Sequence, residues 1–171
     1  MTWTAYLDES KRKDYLLCAV VVPVAERTRI RAALKEAKGP RRELHMAKLD
    51  KPEQLPMAEL AASFGVQAYM FAARGRGGER ARRDIVLEAA VPHLCKQGCI
   101  ELILESSSMD DGDRRTIRNV LGPGSPTQYW HDGKSELLLA LPDIFAWSWG
   151  AGGKFKSAVK PAVIDLGVFG A

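Results

Sequence analysis

The chain is short of cysteine, of long apolar runs and of phosphate-loop glycine signatures, and each shortage removes a class of protein. Its longest apolar run, residues 16–22, is far too short to cross a bilayer, so no membrane partner is expected. The opening Met1-Thr2-Trp3-Thr4-Ala5-Tyr6-Leu7-Asp8-Glu9 lacks the basic region and apolar stretch of a secretory leader, and a cytoplasmic location is expected from it. Three cysteines, Cys18, Cys95 and Cys99, do not make a disulfide framework. Cys95 and Cys99 stand four apart, a spacing that fits one helix face, but no second ligand pair follows them. They read as small buried apolar residues. No G-x-G-x-x-G or G-x-x-x-x-G-K-[ST] sequence sits at a strand-to-helix turn, which argues against a doubly wound nucleotide-binding fold and a nucleotide-dependent transferase. Internal repeats and low-complexity linkers are missing as well, so residues 1–171 are expected to form one domain.

What remains is ordinary globular composition, 46% hydrophobic and 27% charged, with a formal net charge of +4. The basic residues are grouped. Arg27, Arg29, Arg31, Lys35 and Lys38 share one predicted helix and Arg41-Arg42 follow it. The densest group is Arg74-Gly75-Arg76-Gly77-Gly78-Glu79-Arg80-Ala81-Arg82-Arg83. A glycine-rich basic loop suits a phosphate backbone, so nucleic acid is the expected partner.

Periodicity predicts strands over residues 3–7, 15–23, 66–72 and 99–105, joined first by a short polar turn at 9–14. Helices are predicted over 25–38, 52–64, 79–97 with a kink at Pro92, 110–121, and 135–149 interrupted at Pro142. Residues 43–48 read as a short strand or a turn into a helix, 122–134 as a Pro/Gly-rich loop, and 158–168 as a short edge strand. An initial hairpin followed by alternating helices and strands predicts an α/β fold, a mixed β-sheet flanked by α-helices.

Four acidic features stand out on this frame, the first of them a pair. Asp8 and Glu9 end the first strand, Glu43 sits in Glu43-Leu44-His45, Glu105 ends the strand Ile100-Glu101-Leu102-Ile103-Leu104-Glu105, and Asp143 lies within the apolar stretch Leu137-Leu138-Leu139-Ala140-Leu141-Pro142-Asp143-Ile144-Phe145-Ala146-Trp147. Each has an ordinary explanation alone: a turn residue, a surface ion pair, a helix-start carboxylate after proline. Asp143 is the sharpest, because an unpaired carboxylate in so apolar a helix is costly and has to be paired, metal-bound or exposed. Together they fit one chemistry: Mg²⁺ and Mn²⁺ take hard oxygen ligands, and a two-ion phosphodiester site needs several carboxylates to offset its charge.

The segments Tyr6-Leu7-Asp8-Glu9-Ser10, Glu43-Leu44-His45 and Leu141-Pro142-Asp143-Ile144-Phe145-Ala146-Trp147, in this order across nearly the whole chain, resemble the domain-of-unknown-function 3800 (DUF3800) family, which is similar to ribonuclease H and to retroviral-integrase-like nucleases. Lys11 stands where that family often has glycine, and Pro142 where it has alanine. The resemblance implies a ribonuclease H-like domain, with Asp8, Glu43, an acid near the end of a later strand, and Asp143 as metal ligands. Glu105, Asp110, Asp111 and Asp113 compete for the third position, with Glu105 favoured because a strand end holds a ligand more firmly than a loop. His45 is a candidate proton shuttle or phosphate-orienting group, and His131 is placed to approach the same site from its loop. His93 reads as structural, and Trp147 and Trp149 as core or dimer-contact residues, with base stacking the minor alternative and a homodimer possible. The expected activity is metal-dependent hydrolysis of RNA, DNA or a hybrid. The alternative is a binding module of a mobile-element or phage-defence system that has lost turnover.

Overall fold

The computed structural model describes residues 1–12, 14–133 and 135–170; Lys13 in the first turn and Lys134 at the end of the Pro/Gly-rich loop lie outside the described residues. Strands β1 (Trp3–Ser10), β2 (Tyr15–Pro23), β3 (Gln67–Ala73), β4 (Cys99–Glu105), β5 (Gln128–Asp132) and β6 (Val163–Phe169) form one sheet in the order β5-β4-β1-β2-β3-β6. Only β2 runs against its neighbours; β1 with β4, β4 with β5 and β3 with β6 pair in parallel. The carboxyl ends of five strands therefore meet at one edge, where chain turns and helix starts can gather functional side chains.

Alternation along each strand feeds two separate cores. Tyr6, Cys18, Val20, Met70 and Ile103 face helices α1 (Arg27–Lys38), α2 (Lys51–Ser63) and α5 (Ala140–Ala151). Leu7, Leu17, Ala19, Phe71, Leu102 and Leu104 face α3 (Glu79–Lys96) and α4 (Asp110–Leu121). A short α6 (Gly153–Val159) follows α5, and the left-handed Gly152 (φ 72°) makes the turn between them.

Several expectations change. Of the two readings of residues 43–48 the strand does not form and the turn into a helix does: a 3-10 turn, Met46–Lys48, leads to α2. Leu44 and Met46 are buried on alternate positions because they pack under helices, not because they pair in the sheet. The expected loop at 122–134 contains β5, a five-residue edge strand half-buried along most of its length, so no polar–apolar alternation marks it. Pro92 lies inside α3, which continues past it, and Pro142 lies in the first turn of α5, where its missing N–H costs no helical bond. Cys95 ends α3 while Cys99 opens β4, so the two share no helix face; all three cysteines are free. His93 packs edge-on against Tyr69 and Phe71, and burial lowers its pKa, as suits a structural residue. No helix among the described residues is long and apolar enough to cross a membrane.

Candidate metal centre

Asp8 and Glu105 belong to adjacent parallel strands whose register pairs Leu7 with Leu104. Each lies two residues beyond a side chain of the α5-facing core, Tyr6 for one and Ile103 for the other, so both carboxylates point to that side. Helix α5 crosses the same side and presents Asp143 in its first turn. Asp8, Glu105, Asp143, His45 and Glu136 line one small cavity, closed by Leu44, Leu137, Leu139 and Ala140, with a volume of about 10 Å³, enough for a single water-sized occupant.

The site is tied together by local bonds. Asp143 Oδ2 accepts the Met46 N–H at 2.9 Å, which fixes the irregular 43–46 segment on α5, and His45 Nε2 stands 3.7 Å from Asp143 Oδ1. His45 Nδ1 is buried with no hydrogen-bond partner among the described residues. Glu136 binds Arg31 through two bonds of 3.1 Å and also accepts the Leu138 N–H, so its charge is already matched. Among the described residues no cation is bonded to Asp8. Burial, then its contact with Glu105, then the charges of Glu9 and Asp143 push its carboxyl up to about 10. Three carboxylates are thus crowded into a small space, and their hard-oxygen donor set fits Mg²⁺ or Mn²⁺.

Glu43 is not among the residues that line this cavity; it forms an ion pair with Lys48. Asp110, Asp111 and Asp113 lie on α4, away from the cavity lining. Asp111 is exposed and paired with Arg114, and Asp110 accepts from the Ser106 hydroxyl and the Ser107 N–H. Glu136 is the cavity acid that sequence reading passed over; its signal was its position at the head of Leu137-Leu138-Leu139, where an acid caps the following turn.

A second cluster sits on the opposite side of the sheet. Ligand atoms of Asp110, Asp113 and His131 lie within 4.8 Å of one another, with His131 Nε2 2.9 Å from Asp113 Oδ2. Here guanidinium groups already supply the positive charge. Arg83 forks onto both Asp113 oxygens at 2.7 and 2.8 Å and reaches Glu9 at 2.8 Å and the Tyr15 hydroxyl at 2.9 Å, while Arg80 adds a 3.0 Å contact to Asp113. Burial alone would raise the Asp113 carboxyl, but bonds from His131 and Arg83 hold it at about 2. The cluster can take a metal only by displacing Arg83, which the fold buries; as it stands it is a satisfied ionic network. His131 belongs to it and does not line the Asp8 cavity. The same pairing reclassifies the densest basic stretch: Arg74 binds Asp14, Arg80 binds Asp84, and Arg83 is 1% exposed.

No protein-family model and no curated protein matches the chain. Among solved structures it is similar to ribonuclease HII of Archaeoglobus fulgidus, determined in complex with PCNA: the TM-score is 0.52 at 15% identity, over 84% of this chain and 69% of that one. At that identity the likeness is one of fold, and together with the mixed six-stranded sheet and its flanking helices it makes this a ribonuclease H-like α/β fold.

Proposed function

We propose that the protein is a metal-dependent phosphodiester hydrolase acting on nucleic acid, of the kind implied by its resemblance to the DUF3800 family. The observation that carries this is the convergence of Asp8, Glu105 and Asp143, from two parallel strand ends and one helix start, on a single cavity. The likeness in fold to a ribonuclease supports the same reading.

In it, Asp8, Glu105 and Asp143 hold Mg²⁺ or Mn²⁺, which would supply Lewis-acid stabilisation of the charge that builds on the phosphodiester. The cavity as it stands has room for a single water-sized occupant. His45, beside Asp143 and partly exposed, is positioned to take or give a proton at Nε2. Glu136 and Arg31 form a neutral pair at the rim and hold the turn that leads into α5. Glu43, paired with Lys48, acts as a ligand in this reading only if that pair opens.

Asp143→Asn and Asp8→Asn should each lower Mn²⁺-dependent cleavage of labelled RNA, DNA or hybrid by about a hundredfold or more while circular dichroism stays native. Full activity in both variants would remove the carboxylate site from the mechanism. A wild-type protein that neither cleaves any of the three substrates nor gains thermal stability from Mn²⁺ favours the alternative, a binding module without turnover.

A further inference from the structure

The end of α5 and the whole of α6 carry a group of side chains that the metal centre does not use. Between Ile144 and Lys160 the sequence has no acidic residue, yet it holds Trp147, Trp149, Phe155, Lys154, Lys156 and Lys160. The side chains interleave. Arg12, from the turn after β1, lies over the Trp147 ring at 5.1 Å, Lys156 over Trp149 at 4.3 Å, and Lys154 over Phe155 at 5.4 Å. Trp147 and Phe155 meet edge-on with centroids 4.9 Å apart. Trp147, Trp149, Phe155 and Lys156 are half-buried, and Arg12 and Lys154 are exposed.

This strip leads directly away from the carboxylate cavity. Asp143, Trp147 and Gly150 are spaced i, i+4, i+7, one face of α5. Asp8 and Ser10 share one face of β1, and Arg12 follows in the turn. The two rows advance side by side: Asp143 meets Asp8 at the cavity, and further out Arg12 lies against both Trp147 and Gly150, where a Cβ on Gly150 would come within 3.3 Å of Arg12 Cδ. Beyond them opens a cavity of about 340 Å³ lined by Ser10, Arg12, Leu16, Trp149 and Gly150 among others. Its two carboxylates are engaged, Asp14 with Arg74 and Asp165 with the Gly167 N–H.

We propose that this α5–α6 strip is a binding track for a single-stranded stretch of nucleic acid, whose bases stack on Trp147 and Trp149 and whose phosphates take Arg12, Lys154 and Lys156. An aromatic face that already carries a cation holds both halves of the recognition chemistry, because an incoming base can take the ring while the cation pairs with its phosphate. A duplex keeps its base faces inside and cannot use the rings. The track names the form of substrate for the hydrolase reading above and rests on that reading for its role, but not for its existence.

Binding is therefore measured without turnover, in EDTA, by anisotropy of fluorescein-labelled oligodeoxythymidylate and oligouridylate of about ten nucleotides, with a duplex of equal length as competitor. Wild-type protein should bind both single strands about tenfold or more tighter than the duplex, with quenching of tryptophan fluorescence. Lys154→Glu/Lys156→Glu should weaken single-strand binding by about tenfold or more and flatten its salt dependence. Trp149→Ala should weaken it similarly, with Trp149→Phe recovering most of the loss. Equal affinity for duplex and single strand, or unchanged affinity in the folded lysine variant, overturns the track. If the strip variants lose binding but the wild type never cleaves with Mn²⁺, the track stands and the hydrolase reading falls. If the wild type cleaves and the lysine variant keeps its KM, the reverse holds.

Discussion

Asp8→Asn should make the metal-free protein more stable and at the same time abolish its response to Mn²⁺. The sign follows from the direction of the Asp8 shift. Its carboxyl titrates near 3.8 when unfolded and is pushed up to about 10 when folded, by burial and then by Glu105. Between those values the folded chain holds a proton that the unfolded chain has lost, so the stability of the metal-free protein falls as pH rises from about 4 towards 10. At neutral pH this one carboxyl costs the fold a few kcal/mol. Asparagine keeps the shape, can donate to Glu105 and has no proton to lose. The expected gain in EDTA at pH 7.5 is about 1 to 3 kcal/mol, or roughly 3 to 10 °C in Tm for a chain of this size. In the wild type, Mn²⁺ should recover this loss by binding the folded state, with a Tm that climbs with the logarithm of its concentration. The climb should be larger at pH 8 than at pH 6, because protons and metal compete for the same oxygens. A variant less stable than wild type in EDTA, or one that keeps the whole Mn²⁺ shift, would show that Asp8 is not under the strain assigned to it.

Much of the frame behind this site can be read from sequence, and the unreadable parts have physical causes. β2, β4 and α4 occupy the residues that sequence reading predicts, the strands because their apolar runs are bounded by clear breaks and α4 because an acidic start and Gly122 mark its two ends. β1 extends three residues past its apolar part, through Asp8-Glu9-Ser10, because β2 continues to pair with it there. That extension is what gives Asp8 and Glu9 opposite faces, a fact that composition cannot reveal. β5 is invisible to pattern because its stability comes from pairing with β4, a partner more than twenty residues away in sequence. The convergence of Asp8, Glu105 and Asp143 depends on which strands adjoin, which is long-range information; the resemblance implies Asp8, Glu43, Asp143 and an acid near a later strand end, the firmness of a strand end singles out Glu105, and Glu43 falls outside the cavity lining. Arg83 is the converse lesson. It looks like one of a run of phosphate-binding cations, yet it stands four residues before Leu87, which with Ala90, Val91 and Leu94 forms the buried stripe of α3. Helical spacing alone would have placed it inward.

Burial makes Arg83 the residue whose loss should hurt the fold most. Arg83→Met is expected to destabilise the protein by about 3 kcal/mol, because it leaves Asp113, 0% exposed, with only His131 and the half-exposed Arg80, and takes the partner from Glu9 and the Tyr15 hydroxyl. Methionine matches the length of the arginine stem, so lost packing contributes little. The pH dependence separates this cause from a general loosening. In the wild type Asp113 titrates at about 2 when folded against 3.8 when unfolded, so its contribution of about 2 kcal/mol is complete above pH 4 and disappears as pH falls towards 2. Without Arg83 its share of that contribution is gone while the His131 and Arg80 shares remain, and the urea-unfolding gap between variant and wild type should narrow below pH 4. Arg83→Met/Asp113→Leu should recover part of the loss at neutral pH, since it removes the stranded charge with its partner. Because Arg83 also holds Glu9, whose N–H bonds Asp8 Oδ1 at 2.8 Å, the single variant should bind Mn²⁺ more weakly although Arg83 faces the other side of the sheet. A loss below about 1 kcal/mol, or strict additivity in the double variant, would mean that water already reaches the network and that Arg83 does not anchor the end of β1.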